Sequence, residues 1–243
     1  WWAILILVLL PIYFPADSSA QYFGRNKIQY QSFQFKTLET EHFKIYYYPE
    51  ELEAATDGGR MAERWYERYA KLFDHQLEPG QPIVFYANQA DFEQTNVISG
   101  LISQGTGGVT EGLKDRVVIP FTGDYQQNNH VIGHELVHAF QYSIMKKGSR
   151  QVFSSRQMPL WFVEGMAEYL SIGRDDPLTA MWLRDAVLND DVPSFDQMSR
   201  NAKYFPYRWG QAFWAWITGM KGDAVVPELF RAVQRTDWDK AFQ

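Results

Sequence analysis

The chain has 243 residues, which is enough for one large domain or two small ones with a sizeable core. Its formal charge is −6 and no dense lysine and arginine stripe is present, which argues against a nucleic-acid-binding surface. Because the chain has no cysteine, disulfides, thiolate catalysis and cysteine-bound zinc are excluded, and any metal must be held by histidine, aspartate or glutamate.

The first twenty residues have the pattern of a partial signal peptide. Residues 1–14 form an uncharged apolar run, shorter than the roughly 20 residues that a membrane span requires, and Pro15 ends it. Small residues at 18–20 then suit a signal peptidase, so we expect export with Gln21 as the mature N-terminus. A buried N-terminal helix is the alternative. Since residues 236–243 read as an unfinished helix, we also expect a C-terminal continuation.

Residues 21–127 are predicted to be rich in strands. The predicted elements in chain order are a strand at 43–49, an amphipathic helix at 51–77, and strands at 82–87 and 116–121. The glycine-rich segment QGTGGVTEG, at 104–112, is predicted to be a loop or a strand edge. It lacks the GK[ST] ending of a phosphate-binding loop, so the pattern does not favour nucleotide binding.

Residues 128–243 are predicted to be mainly helical. One helix is expected at 128–147 with Asn128 or Asn129 as its cap, and a second at 159–173. Strands first and helices later, without regular βαβ alternation, predict an α+β domain. We therefore expect one domain over 21–243, with an N-terminal mixed sheet and helices followed by a helical part.

The stretch HVIGHELVHAF, at 130–140, contains a candidate metal site. His134 and His138 differ by about 40° around a helix, so both imidazoles project from one side and can bind one metal ion. Glu135 is rotated by about 100° from His134, outside the ligand set but within reach of a metal-bound water. This is the general-base position of H-E-x-x-H metallopeptidases. A solvated or core histidine pair is the alternative.

A catalytic zinc usually takes three protein ligands and leaves a fourth position for water. A three-histidine site would need glycine at position 141 and histidine at position 144, but the sequence has Gln141 and Ile144. Glu164 and Glu168 share one predicted helix face within an apolar segment. One of them can bind the metal while the other accepts a hydrogen bond from a ligating histidine. A surface glutamate pair is the alternative.

HELVH followed by WFVEGMAEY resembles the gluzincin arrangement of the thermolysin-like and aminopeptidase-like families of clan MA. In those aminopeptidases a similar E-G-x-A segment supplies the zinc-binding glutamate. The resemblance implies a zincin-like fold and one zinc per chain, with Glu164 as the third ligand and Glu168 as an outer-shell carboxylate. The spacing from His138 to Glu164 is longer than in the aminopeptidases, and the loop 148–157 has no counterpart there.

The stretch from QYFGRNKIQYQ through GTGGVTEGLKDRVVIPF to HVIGHELVHAFQY also resembles a group of exported bacterial proteins. Their N-terminal domain is peptidase-MA-like, and TolB-like β-propeller repeats follow it. The resemblance covers nearly all of residues 21–243. It implies an envelope location and a C-terminal β-propeller, and it indicates no substrate.

These features predict zinc-assisted hydrolysis of a peptide or protein substrate, with Glu135 as general base. By analogy with the clan, Tyr207 is the candidate donor to the oxyanion and Tyr204 the next choice; either can instead be a plain core or surface aromatic. His130 can line the cleft, although a helix-start histidine is the ordinary interpretation. A non-catalytic peptide-binding domain and a hydrolase acting on a non-peptide bond are the competing hypotheses.

The resemblance also implies that substrate pairs with the edge strand of the sheet, which we assign to GGVTEG at 107–112. Gly107 and Gly108 leave room for close backbone approach, although an ordinary glycine turn is the alternative. Glu111 occupies the place of the aminopeptidase glutamate that binds a free amine, but the residues around it depart from the G-x-M-E-N pattern. We therefore expect an endopeptidase-like open cleft in which Glu111 at most tunes the subsites.

Overall fold

The computed structural model describes residues 27–98, 100–148 and 158–235. The predicted signal peptide, its cleavage site before Gln21 and the expected continuation after 243 lie outside these residues. Within the described part of the chain, no helix combines the length and the apolar character that crossing a membrane requires.

A five-stranded mixed sheet forms the N-terminal part. Its strands are β1 (Lys36–Glu39), β2 (Phe43–Tyr47), β3 (Gln81–Tyr86), β4 (Val109–Glu111) and β5 (Arg116–Pro120). The spatial order is β1-β2-β3-β5-β4, with β2, β3 and β5 mutually parallel and both edge strands antiparallel to their neighbours. The three predicted strands are present within two residues of their expected ends, whereas β1 was not singled out because it is short and mostly exposed.

Long helices cover one face of the sheet, and one short helix, Gln89–Phe92, lies on the other face. The helices are α1 (Leu52–Phe73), α2 (Gln89–Phe92), α3 (Tyr125–Gly148), α4 (Leu160–Ile172), α5 (Pro177–Leu188), α6 (Phe195–Arg200), α7 (Pro206–Lys221) and α8 (Val225–Arg235). The main core lies between the first of these faces and helices α1, α3, α4 and α7. A smaller aromatic cluster around Tyr48, Tyr86 and Phe92 covers the other face. The predicted α+β class is confirmed by this arrangement.

Helix α3 carries the HELVH motif, and it begins earlier than the sequence predicted. Its first residue is Tyr125, and the Asp124 side chain accepts a hydrogen bond of 2.6 Å from the Gln127 N–H. The predicted cap at Asn128 or Asn129 is therefore wrong. Asn128 instead accepts a hydrogen bond from the Thr122 N–H at 3.0 Å, which fastens the strand-to-helix turn. This turn sets the direction in which α3 leaves the sheet.

Helices α4 and α7 cross with almost no side-chain layer between them. A Cβ atom at Gly165 would lie 2.3 Å from the Gly210 backbone, and one at Gly210 would lie 1.9 Å from the Trp161 carbonyl oxygen. Only glycine allows such an approach. The Trp214 indole also donates a hydrogen bond of 2.9 Å to the Phe162 carbonyl. The crossing fixes the start of α7 beside the glutamates of α4.

Candidate active site

Three side chains from α3 and α4 meet at one point. His134 and His138 lie one helical turn apart on α3, and Glu164 faces them from α4. The three pairwise distances among His134 Nε2, His138 Nε2 and Glu164 Oε2 are each 3.2 Å. All three side chains are largely buried, with exposed fractions of 10%, 9% and 15%. The site therefore brings two imidazoles and one carboxylate together, shielded from solvent.

The spacing of these atoms fits a tetrahedral zinc ion. Ligands bound about 2.0–2.1 Å from such an ion are roughly 3.3 Å apart, close to the observed separations. Two imidazole nitrogens and one carboxylate oxygen are also a known catalytic zinc donor set. An unprotonated nitrogen and a carboxylate oxygen are both electron-rich, so a metal cation or a shared proton stabilises their convergence. The residues present fit zinc, and His134, His138 and Glu164 would hold it.

Gln141 orients the second histidine. Its amide nitrogen donates a hydrogen bond to the Val163 carbonyl at 3.2 Å, which turns its oxygen toward His138. That oxygen lies 2.8 Å from His138 Nδ1, so Nδ1 carries the proton and Nε2 keeps a free lone pair. The sequence interpretation used Gln141 only to exclude a three-histidine site. Its position three residues after His138, on the same helix face, was a signal for this role.

Glu168 lies behind the first histidine. Its Oε1 is 3.1 Å from His134 Nδ1 and 3.4 Å from His130 Nε2, and its Oε2 is 3.4 Å from the Arg208 guanidinium. His134 Nδ1 has no partner with regular hydrogen-bond geometry among the described residues, so the contact is electrostatic rather than well aligned. Arg208 also contacts Asp176 at 3.0 Å and carries positive charge toward the glutamate. No sequence pattern indicated Arg208.

Charges within this group shift its protonation. Burial alone would lower the pKa of His134, but Glu164 and Glu168 outweigh it and raise the pKa to about 10. Burial would raise the pKa of Glu164, yet the two ligand histidines hold it well below its usual range. Burial also opposes ionisation of Glu168, and His130 and His134 lower its pKa to about 2. Without metal the cluster thus retains a proton, with which a metal ion would compete.

The Glu135 side chain lines the same cleft and contacts the sheet. Its carboxylate Oε2 lies 2.6 Å from the Thr110 hydroxyl of β4, and its carbonyl oxygen lies 2.9 Å from the same hydroxyl. A Cβ atom at Gly108 would lie 2.8 Å from Glu135 Cγ, so that position must be glycine for the carboxylate to fit. Glu135 is 6% exposed. The sequence did not indicate Thr110, because its partner depends on how β4 lies against α3.

The two candidate tyrosines occupy different surroundings. Tyr207, at the start of α7, stacks on the His134 ring with centroids 5.8 Å apart, and it lines the cleft. Burial and the nearby Glu164 carboxylate raise the pKa of Tyr207, so its hydroxyl remains a hydrogen-bond donor. The Tyr204 hydroxyl instead bonds to Asp191 at 2.9 Å. Tyr204 does not line the cleft, so Tyr207 is the better placed of the two candidates.

An open cleft of about 1040 Å³ runs between β4 and α3. His134, Glu135, His138 and Glu164 line it together with Tyr207. The predicted edge segment 107–112 contains β4, which is an edge strand, and Gly108 and Thr110 reach the cleft. Two further residues of that segment face elsewhere. Gly107 packs toward Val131 of α3, and Glu111 accepts a hydrogen bond of 2.7 Å from Arg116 Nε.

Comparisons with protein-family models, with curated proteins and with solved structures found no significant match to this chain. The functional assignment therefore depends on the chemistry and geometry of the residues themselves.

Proposed function

We propose that this protein is a zinc-dependent metallopeptidase of the gluzincin type. The observation that carries the proposal is the meeting of His134, His138 and Glu164 at mutual distances of 3.2 Å, beside a carboxylate that is not part of the group. A site that only stores or binds a metal has no need of a separate glutamate. Glu135 is 6% exposed, on the wall of the same cleft, where a general base is required.

The roles of the side chains follow from their positions. Zinc, when bound, is a Lewis acid that activates a water molecule at neutral pH and polarises a carbonyl group. Glu135 would accept a proton from the attacking water and deliver it to the leaving amine. Tyr207 would donate a hydrogen bond to the carbonyl oxygen as negative charge develops there. Gln141 and Glu168 would hold the two histidine rings in their ligating orientations.

The cleft suits an extended peptide chain. Its volume, about 1040 Å³, is at or above the upper end for small-molecule pockets, and it is open along β4. An edge strand offers unpaired backbone groups to which a peptide can add as a further strand. Among the described residues, β4 is the edge strand nearest to the proposed metal ligands, because it packs on α3. We infer that substrate lies along β4 and crosses the metal-ligand group.

Internal peptide bonds are the expected target. An aminopeptidase requires a carboxylate that binds the free amine of the substrate, and Glu111 was the candidate from sequence. Its carboxylate is instead bonded to Arg116 through both Nε and a terminal nitrogen, and it does not line the cleft. This pairing supports an endopeptidase with an open cleft. Glu111 would influence substrate binding only indirectly, through the stability of β4.

The decisive experiment is cleavage of a peptide library by the purified protein, with and without a metal chelator. The wild type is expected to cleave, the chelator to stop cleavage and added zinc to restore it. Glu135→Gln, purified in the same way, is the matched control and should hold zinc without cleaving. Cleavage that persists in chelator contradicts the proposal. A zinc-loaded wild type that cleaves no peptide favours a non-catalytic peptide-binding domain.

Paired peptides with free and acetylated N-termini separate the two kinds of peptidase. Both members of each pair are expected to be cleaved at similar rates, and Glu111→Ala should retain activity. Strict dependence on a free amine, lost in Glu111→Ala, would make the protein an aminopeptidase.

A further inference from the structure

Strand β4 contacts the general base through one side chain. The Thr110 hydroxyl oxygen lies 2.6 Å from Glu135 Oε2 and 2.9 Å from the Glu135 carbonyl oxygen. It therefore bridges the side chain and the main chain of the same residue. Such a bridge restricts the rotations that carry the carboxylate, since the carbonyl is fixed within α3. Gly108 also lies close to this side chain, because a Cβ atom there would be 2.8 Å from Glu135 Cγ.

The neighbours of Thr110 on β4 point to the other face of the sheet, as alternation along a strand requires. Val109 packs into the aromatic cluster around Tyr86, and Glu111 pairs with Arg116. Thr110 is therefore the β4 side chain that reaches α3. A one-residue shift in the register of β4 would remove it from Glu135.

A hydroxyl is suited to hold a carboxylate in place. The Thr110 hydroxyl can donate its single proton to Glu135 Oε2 or to the Glu135 carbonyl oxygen, and both lie within hydrogen-bond distance. Glu135 is 6% exposed, so solvent has little access to replace this partner. A valine has the same shape and provides neither hydrogen bond.

We propose that Thr110 is a positioning residue that holds the Glu135 carboxylate against the cleft. The proposal rests on the general-base function proposed for Glu135. It also implies that one short strand has two tasks, because β4 is the strand along which substrate would lie. Substrate that pairs with β4 would thereby be aligned with the base that acts on it.

The test compares Thr110→Val and Thr110→Ser with the wild type in a steady-state peptide-cleavage assay. Thr110→Val should lower kcat by about 10–100-fold, the usual effect of losing an outer partner of a catalytic group. KM and zinc content should stay at wild-type values, because neither the ligands nor the backbone of β4 changes. Thr110→Ser should restore kcat, since it restores the hydroxyl. Thr37→Val, the same change on the exposed opposite edge strand β1, is the matched control and should have wild-type kcat.

The same substitution in a Glu135→Gln background provides a second readout. If Thr110 acts through Glu135, adding Thr110→Val should lower the residual rate little further. A wild-type kcat for Thr110→Val, or a loss that Thr110→Ser does not restore, would overturn the positioning role. With either of these results, a Glu135→Gln protein that holds zinc but is inactive would still support the proposed function. An active Glu135→Gln overturns the general-base function itself and separates the two failures.

Discussion

Histidine meets glutamate in two clusters of the described residues, and these clusters are built differently. At the start of β2, His42 Nδ1 lies 2.7 Å from Glu63 Oε2, and the His42 N–H and the Thr40 hydroxyl both donate to Glu63 Oε1. The His42 ring stacks on Tyr66 at 3.7 Å. The donors of this cluster are therefore paired individually with the two oxygens of Glu63. The cluster fastens the β1–β2 turn to α1.

The group on α3 and α4 has the opposite arrangement. His134, His138 and Glu164 direct one atom each at the same point, and the far ring nitrogen of each histidine faces another side chain. Residue types alone do not distinguish the two clusters. The distinction lies in whether the donor atoms are paired off or converge. Convergence of electron-rich atoms in a buried site is stabilised by a metal cation or by a shared proton.

The largest expected effect separates the clusters by metal content. His134→Ala and Glu164→Ala each remove a ligand and should abolish both tight zinc binding and peptide cleavage. His42→Ala should retain about one zinc per chain and most of its activity, because His42 is not part of the converging group. Elemental analysis after dialysis against buffer without metal measures the difference. Equal zinc content in all three variants would contradict the assignment.

Glu135→Gln should retain zinc and lose turnover by roughly 10²–10⁴-fold, since an amide cannot accept the proton. Glu63→Gln is the same substitution in the other cluster and should leave kcat unchanged. Parallel measurement of zinc content and kcat tests both statements. A Glu135→Gln protein that cleaves at the wild-type rate would disprove the general-base role even with the metal in place.

Glu168→Ala should have a smaller effect, a fall of about 10–100-fold in zinc affinity or activity, because it removes only the group behind His134. A competition titration with a zinc-binding dye measures the affinity. Glu168→Gln is the companion variant and keeps the side-chain shape while removing the charge. If Glu168→Ala loses zinc completely and Glu164→Ala does not, the two roles are exchanged.

The smallest expected effect is on the pH dependence of stability, through the cluster of His42 and Glu63. Burial would raise the pKa of Glu63, but Thr40 and His42 outweigh it and lower the pKa. A lowered pKa in the folded state stabilises the protein above the unfolded-state pKa, and this gain is lost as pH falls through the folded-state value. Glu63→Gln should therefore cost about 1 kcal/mol at pH 7, less in acid. Thermal unfolding of the metal-free wild type and Glu63→Gln at pH 7 and pH 3 measures the difference in their stability. A difference that is larger at pH 3 than at pH 7 would contradict this prediction.

The parts of the site that sequence could predict are those within one helix. Helical geometry fixes how His134, Glu135 and His138 lie relative to one another, so their spacing predicted which of them could bind the same metal ion. The pair of glutamates in α4 followed for the same reason. The α+β class followed from the order of strands and helices. Each of these relations is local in the chain.

The parts that sequence could not predict depend on how elements lie against one another. Thr110 bonds to Glu135 only because β4 lies alongside α3 in one register. The choice between Tyr207 and Tyr204 required the direction in which α7 begins. The sequence did not indicate the cap at Asp124, because asparagine at position 128 is also a favoured capping residue. Asn128 instead accepts a hydrogen bond from Thr122 in the preceding turn.

The contact between Gly165 and Gly210 has a mechanical consequence. Side chains between two helices usually act as a compliant layer, because they can change rotamer and absorb small displacements. At this crossing backbone meets backbone, so that layer is missing. Glu164 directly precedes one glycine, and Tyr207 lies three residues before the other. Main-chain stiffness, and not side-chain adjustment, would thus keep the Glu164 carboxylate and the Tyr207 phenol at a constant separation.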